Sequence, residues 1–153
     1  MKLGEALARR SDLQKRLAQL GARLRESAVV QEGTEPPESP DELLGEVDRL
    51  ADELERLIAM INQTNSSTRL PSGVGLTEAL ARRDVLALRH GVLRHAAEAA
   101  AQAQTRYGRS EIRLVRLIDV AAIRARLDDL ARDRRELDTE IQAHNWTVDL
   151  IEK

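Results

Sequence analysis

Apolar residues recur along this 153-residue chain in a 3-4 alternation, the pattern of amphipathic helices that pack along one stripe. Four stretches carry it. The first, over about 2–26, reads Leu3, Ala6, Arg10, Leu13, Leu17, Leu20 and Leu24. The second opens at Ser39-Pro40-Asp41-Glu42, a capping box with proline at the first helical position. Its seam is Leu43, Val47, Leu50, Leu54, Leu57 and Ile61, widened by Leu44, Ala51 and Ile58, which suits a bundle helix. The third is expected to be capped by Thr77 and to run to about 106, with Leu76, Ala79, Arg83, Leu86, His90, Leu93 and Ala97 in its seam. Beyond Leu93 it is alanine-rich, so a neighbour can approach closely. Asp119 is the expected cap of the fourth, whose seam is Ile123, Leu127, Leu130, Arg134, Leu137 and Ile141.

The segments between them read differently. Asn62 opens a run of Asn, Gln, Thr and Ser that leads into Pro71-Ser72-Gly73, residues that favour caps and turns, so 62–75 is expected to break the helix. Asn65 and Asn145 are each expected to end a helix. The links 28–31 and 112–118 are rich in branched residues and are predicted to be extended, pairing as a short two-stranded ribbon; 112–118 reads equally as helix. The acidic, proline-containing stretch 32–40 reads as an exposed, mobile loop.

The hexapeptide Glu-Ala-Leu-Ala-Arg-Arg occurs at 5–10 and again at 78–83. At an offset of 73, residues 3–10 match 76–83 at seven of eight positions, and Leu13/Leu86, Arg16/Arg89 and Leu20/Leu93 continue the match. At an offset of 80 the second helix maps onto the fourth, through Asp48/Asp128, Leu50/Leu130, Leu57/Leu137, Ile61/Ile141 and Leu70/Leu150. The chain therefore reads as one domain, 1–153, with an internal repeat of 1–70 and 76–150. The expected fold is all-α: an antiparallel four-helix bundle made from a duplicated long helical hairpin.

Composition narrows the function. Charged residues make up 33% of the chain, yet the net charge is only −2, which argues against nucleic acid as a partner. Cysteine is absent, removing disulfides, thiolate nucleophiles and zinc-thiolate sites. No segment approaches the roughly 20 apolar residues of a membrane span, and the first residues are charged rather than signal-like, so a cytoplasmic protein is expected. Phenylalanine is absent, and Tyr107 and Trp146 are the only aromatic residues; the core must be aliphatic. Trp146 is expected to plug the end of the bundle.

Polar residues inside apolar seams are the candidates for chemistry. Arg10 and Arg83 hold equivalent slots; His90 stands where the first half has Leu17, and Arg134 where the second helix has Leu54. In an antiparallel hairpin His90 falls level with about 133–136 and Arg83 with about 141–145, so Arg83, His90 and Arg134 can form a polar layer with Asp133, Glu136 and Asp138 in reach. Three readings follow: arginines that lie along the core with their heads in water or ion pairs, a site for an anion or small ligand, or a subunit contact. Arg106, Arg109 and Ser110 near a helix end form a lesser anion candidate. No catalytic set, metal site or cofactor motif emerges. Inward glutamates with Glu-x-x-His pairs are missing, and Glu140 and His144 make a lone pair.

Leu76-Thr-Glu-Ala-Leu-Ala-Arg-Arg-Asp-Val-Leu86, Arg109-Ser-Glu-Ile112, Arg135-Glu-Leu-Asp138 and Asn145-Trp146-Thr147 resemble the septicolysin-like family of small bacterial helical proteins. The resemblance spans nearly the whole chain, through motifs of a structural kind. The family name implies a cytolysin-like, membrane-active protein, and it brings no catalytic or binding residues with it. The residues themselves point elsewhere, because no helix joins a basic face to bulky aromatics. The favoured expectation is a non-enzymatic helical protein that forms homo-oligomers or serves as an interaction module. A ligand-binding or enzymatic bundle using Arg10, Arg83, His90 and Arg134 is the alternative.

Overall fold

The computed structural model describes residues 1–102 and 114–152. It is all-α, with four long helices: α1 (Leu3–Ser27), α2 (Pro40–Ser67), α3 (Leu76–Gln102) and α4 (Val120–Thr147). The helices pair α1 with α2 and α3 with α4. The chain divides into two compact units, Met1–Thr68 with His144–Lys153, and Arg69–Ala143.

In the first unit, α1 and α2 run antiparallel. Arg9 pairs with Glu53, Arg16 with Glu46 at 3.7 Å, and Arg23 with Glu38, so the partner number falls as the α1 number climbs. These surface pairs set register more than stability. The core holds the hairpin: Leu3, Ala6, Leu13 and Leu20 of α1 are buried, as are Leu43, Leu50, Leu57 and Ile61 of α2. Each large aliphatic contributes about 1.5–3 kcal/mol on burial. α2 begins as its sequence dictates, with Ser39 Oγ accepting the Glu42 amide and Pro40 at the first helical position. The C-terminal segment closes this unit. The Leu3 amide donates to the Val148 carbonyl at 2.9 Å, and the Leu150 amide donates to the Met1 carbonyl at 2.8 Å.

In the second unit, Leu76, Ala79, Leu86 and Ala97 of α3 are buried, with Val120 and Ile141 of α4. A turn at 70–73 leads into α3: the Gly73 amide donates to the Leu70 carbonyl at 2.8 Å. Gly73 sits at φ 85°, which only glycine adopts freely. The Ser72 amide reaches Glu140 at 3.0 Å. Asp119 caps α4 as expected, its carboxylate accepting the Ala122 amide at 3.1 Å.

Three of the four pairs of helix ends fall at the offsets of the sequence matches. α1 and α3 start at Leu3 and Leu76; α2 and α4 start at Pro40 and Val120 and end at Ser67 and Thr147. The same offsets relate two isolated bridges, Lys2 with Asp149 and Gly75 with Arg69. They also relate the Leu150-to-Met1 hydrogen bond to the Leu70-to-Val74 one, both 2.8 Å.

Several expectations fail, for local reasons. No ribbon forms: 28–31 and 114–118 hold no strand, and the described part of the second link is exposed and irregular; 112–113 lie outside the described residues. α2 runs on through the polar run 62–67, because Thr64 and Ser66 return their hydroxyls to the Met60 and Gln63 carbonyls and Thr64 is fully buried. Asn65 and Asn145 accordingly lie inside helices, two residues short of their ends. α3 starts one residue before Thr77, the Ala79 amide closing on the Gly75 carbonyl at 2.9 Å. Leu44 and Ala51 do not widen a buried stripe; both are exposed.

Candidate functional site

The second unit holds three of the four seam residues singled out above, and two of them, His90 and Arg134, line one groove. Arg83 lies on α3 with its side chain 30% exposed, holding Asp84 at 2.9 Å and Asp138 of α4 at 3.9 Å. Asp138 also lines an open groove of about 410 Å³ with His90, Leu130, Ala131, Arg134 and Arg135. The groove follows from sequence. The corresponding α1 and α2 positions carry Leu17 and Leu54, whereas His90 and Arg134 cannot fill apolar space. Leu130, which lines the groove, is part-exposed, while its match Leu50 is buried. Of the three carboxylates expected near this layer, Asp138 reaches Arg83. Asp133 pairs with Arg132 at 3.2 Å, and Glu136 lines a separate groove with Arg82, Asp133 and Glu140. Arg83 meets α4 about one turn earlier than the register predicts.

Arg10, the fourth residue, belongs to the first unit. It is part-buried, and its Nε has no hydrogen-bond partner among the described residues. Arg106, Arg109 and Ser110 lie outside the described residues. No group of three or more metal-binding side chains occurs among the described residues. Glu140 serves the Ser72 turn, and His144 is buried with Nε2 unpartnered among the described residues.

Two surface features escape the core-directed reading of the sequence. Trp146 does not plug a core; it is 59% exposed, with one ring face against Gly4. It borders an open groove that also includes Glu5, Arg9, Asp12 and Arg16. Second, α3 carries an outward apolar stripe. Val85, Leu88 and Val92 are 51%, 70% and 68% exposed. Their 3-4 spacing was visible in the sequence, but the stronger core seam at Leu86 and Leu93 occupied the same helix.

Paired long helices with arginine-lined surface grooves define a class of small helical protein, not a chemistry. The chain belongs to a family of unknown function, DUF6847, which it matches over residues 10–150. It is similar to a functionally unknown conserved protein from Corynebacterium diphtheriae, known from a crystal structure. The two share 39% identity over 99% of each chain, with a TM-score of 0.93. No curated protein matches. The septicolysin-like family is therefore not the one this chain joins. Of the segments that suggested it, 76–86 and 135–138 are stretches of amphipathic helix, a pattern that unrelated helices share. The cytolysin-like activity implied by that name falls with it. Among the described residues no helix is long and apolar enough to cross a membrane.

Proposed function

We propose that this protein is a non-enzymatic, cytoplasmic helical module that acts by self-association. The observation that carries this reading is the exposed aliphatic stripe Val85, Leu88 and Val92 on a regular helix. Exposed apolar residues scattered singly need no partner; aligned on one helix face, they lose water favourably against another helix. Sedimentation equilibrium of the full chain tests it. A mass that rises with concentration supports the reading, and a monomer throughout the micromolar range removes it.

A duplicated hairpin is part of the same proposal. Its support is that three pairs of helix ends, bridges and turn hydrogen bonds repeat at the offsets of 73 and 80. In this reading the two hairpins present equivalent surfaces, polar on α1 and apolar on α3.

One observation favours a second reading, an anion or small-ligand site in the Arg83–His90–Arg134 groove. Arg134 is exposed and lines the groove with His90 and Asp138, and Asp138 also pairs with Arg83 at 3.9 Å. Isothermal titration with phosphate and small carboxylates tests it. Heat that is lost in His90→Leu would favour the site, and no heat with any of them would dispose of it.

A further inference from the structure

We infer that the outward face of α3 is a parallel dimer seam for α3 of a second copy of this chain, an inference that rests on the self-association reading. Ala81, Val85, Leu88, Val92 and Ala99 form one stripe, interrupted by His95. Written as a heptad, Val85, Val92 and Ala99 take the a positions, and Ala81, Leu88 and His95 take the d positions. Valine at a with leucine at d favours two parallel strands. The opposite face of α3 is already committed to the core through Ala79, Leu86 and Ala97.

Charge selects the direction. Asp84 is a g position and Arg89 is the e position five residues later, the spacing at which g of one helix meets e of a parallel partner. Twofold symmetry makes two such pairs. An antiparallel arrangement would set the e positions Arg82 and Arg89 against each other instead. Asp84 is 67% exposed and now holds Arg83, which keeps Asp138 as a second partner when Asp84 turns outward.

The first hairpin supplies an internal control. At the positions matching Val85, Leu88 and Val92, α1 carries Asp12, Lys15 and Gln19. Arg16, the match of Arg89, is held by Glu46 of α2. The α4 residue matching Glu46 is Arg126, which cannot serve Arg89, and Arg89 makes no ion pair among the described residues. So α3 has gained an apolar seam and has also lost the internal partner of the arginine beside it. The three aliphatics expose on the order of 300 Å². A standard interface buries about 800 Å² per partner, so the dimer is expected to be weak, with Kd on the order of micromolar or above.

Sedimentation equilibrium of the full chain is run over roughly 1–500 µM, the range of weak association, with circular dichroism on every variant. Wild type is expected to dimerise. The triple variant Val85→Asp/Leu88→Lys/Val92→Gln, which installs the α1 residues on an exposed face, is expected to be monomeric with unchanged helicity. Arg89→Glu is expected to weaken the dimer about tenfold, and Asp84→Arg/Arg89→Glu to restore it. The chain has no cysteine, so Ala81→Cys and Ala99→Cys report direction. These positions lie about 27 Å apart along the helix; in a parallel dimer each oxidises to a self-linked disulfide, and in an antiparallel one neither does. A triple variant that dimerises like wild type overturns this surface while leaving self-association intact. Loss of dimer in the triple variant without either disulfide overturns the parallel arrangement. A monomeric wild type overturns both.

Discussion

Trp146 lies against Gly4 so closely that a Cβ on Gly4 would sit 2.9 Å from Cδ2 and Cε3 of the indole. Glycine stands at position 4, the one position at which 3–10 and 76–83 differ; the other segment has Thr77 there. The residue matching Trp146 is Ser66, which leaves no ring to accommodate. Gly→Ala inside a helix ordinarily stabilises by about 0.5–1 kcal/mol. Here Gly4→Ala is expected to destabilise by about 1–3 kcal/mol, because the new methyl meets the ring and, at 3.2 Å, the Asn145 carbonyl. Gly4→Thr/Trp146→Ser should recover part of that loss. Denaturant melts of the two singles and the double give the coupling, and additive losses would refute the paired account.

Thr64 carries a second prediction. It is fully buried, donates to the Met60 carbonyl at 2.8 Å and accepts the Ile151 amide at 2.9 Å. Thr64→Val keeps the shape and strands the Ile151 amide, at a cost of about 1–3 kcal/mol. Urea unfolding measures it, and hydrogen exchange at Ile151 should quicken in the variant. An unchanged exchange rate would mean that the hydroxyl is not what holds the C-terminal segment.

The His90 groove invites the reverse experiment. His90→Leu/Arg134→Leu installs the pair found at Leu17 and Leu54 and should bury Leu130 more fully. A gain of about 1–2 kcal/mol in stability is expected. A loss would mean that the polar layer around Arg83 and Asp138 holds α3 to α4 more firmly than apolar contact would.

Acid should act through two exposed ion pairs. The hydrogen bond from Arg23, and its charge, hold the Glu38 carboxyl below the usual range. The hydrogen bond from Lys2 does the same for Asp149. Folded-state values below the unfolded ones mean that the stabilisation is complete above the ordinary carboxylate range. It is lost as pH falls through the lowered folded values. Thermal melts of wild type and Glu38→Gln/Asp149→Asn between about pH 7 and about pH 3 check the sign. The gap between the two proteins should be small at neutral pH, because both carboxylates are exposed, and should close in acid.

The helices were readable because their seams are strong: Leu3, Leu13 and Leu20, or Leu43, Leu50 and Leu57, announce one buried face each. The cap at Ser39 and the one at Asp119 fixed two starts. What escaped depends on tertiary surroundings. Nothing local says that Thr64 will be buried and so extend α2 through a polar run, or that Trp146 will face solvent over a glycine at the other end of the chain. The branched residues at 28–31 and 114–118 mimic strand composition but form no strand among the described residues. That His90 and Arg134 face one another across the α3–α4 hairpin followed from register, and they line one groove. Whether such residues close a groove or open one did not follow, because that turns on side-chain volume across the hairpin. The outer stripe of α3 was equally present in the sequence, hidden behind a stronger seam on the same helix.

Sedimentation equilibrium of the full chain as a function of concentration tests the central claim most directly. The account predicts a reversible shift from monomer to dimer over the micromolar range, abolished in Val85→Asp/Leu88→Lys/Val92→Gln. A single monomeric species at every concentration would contradict it.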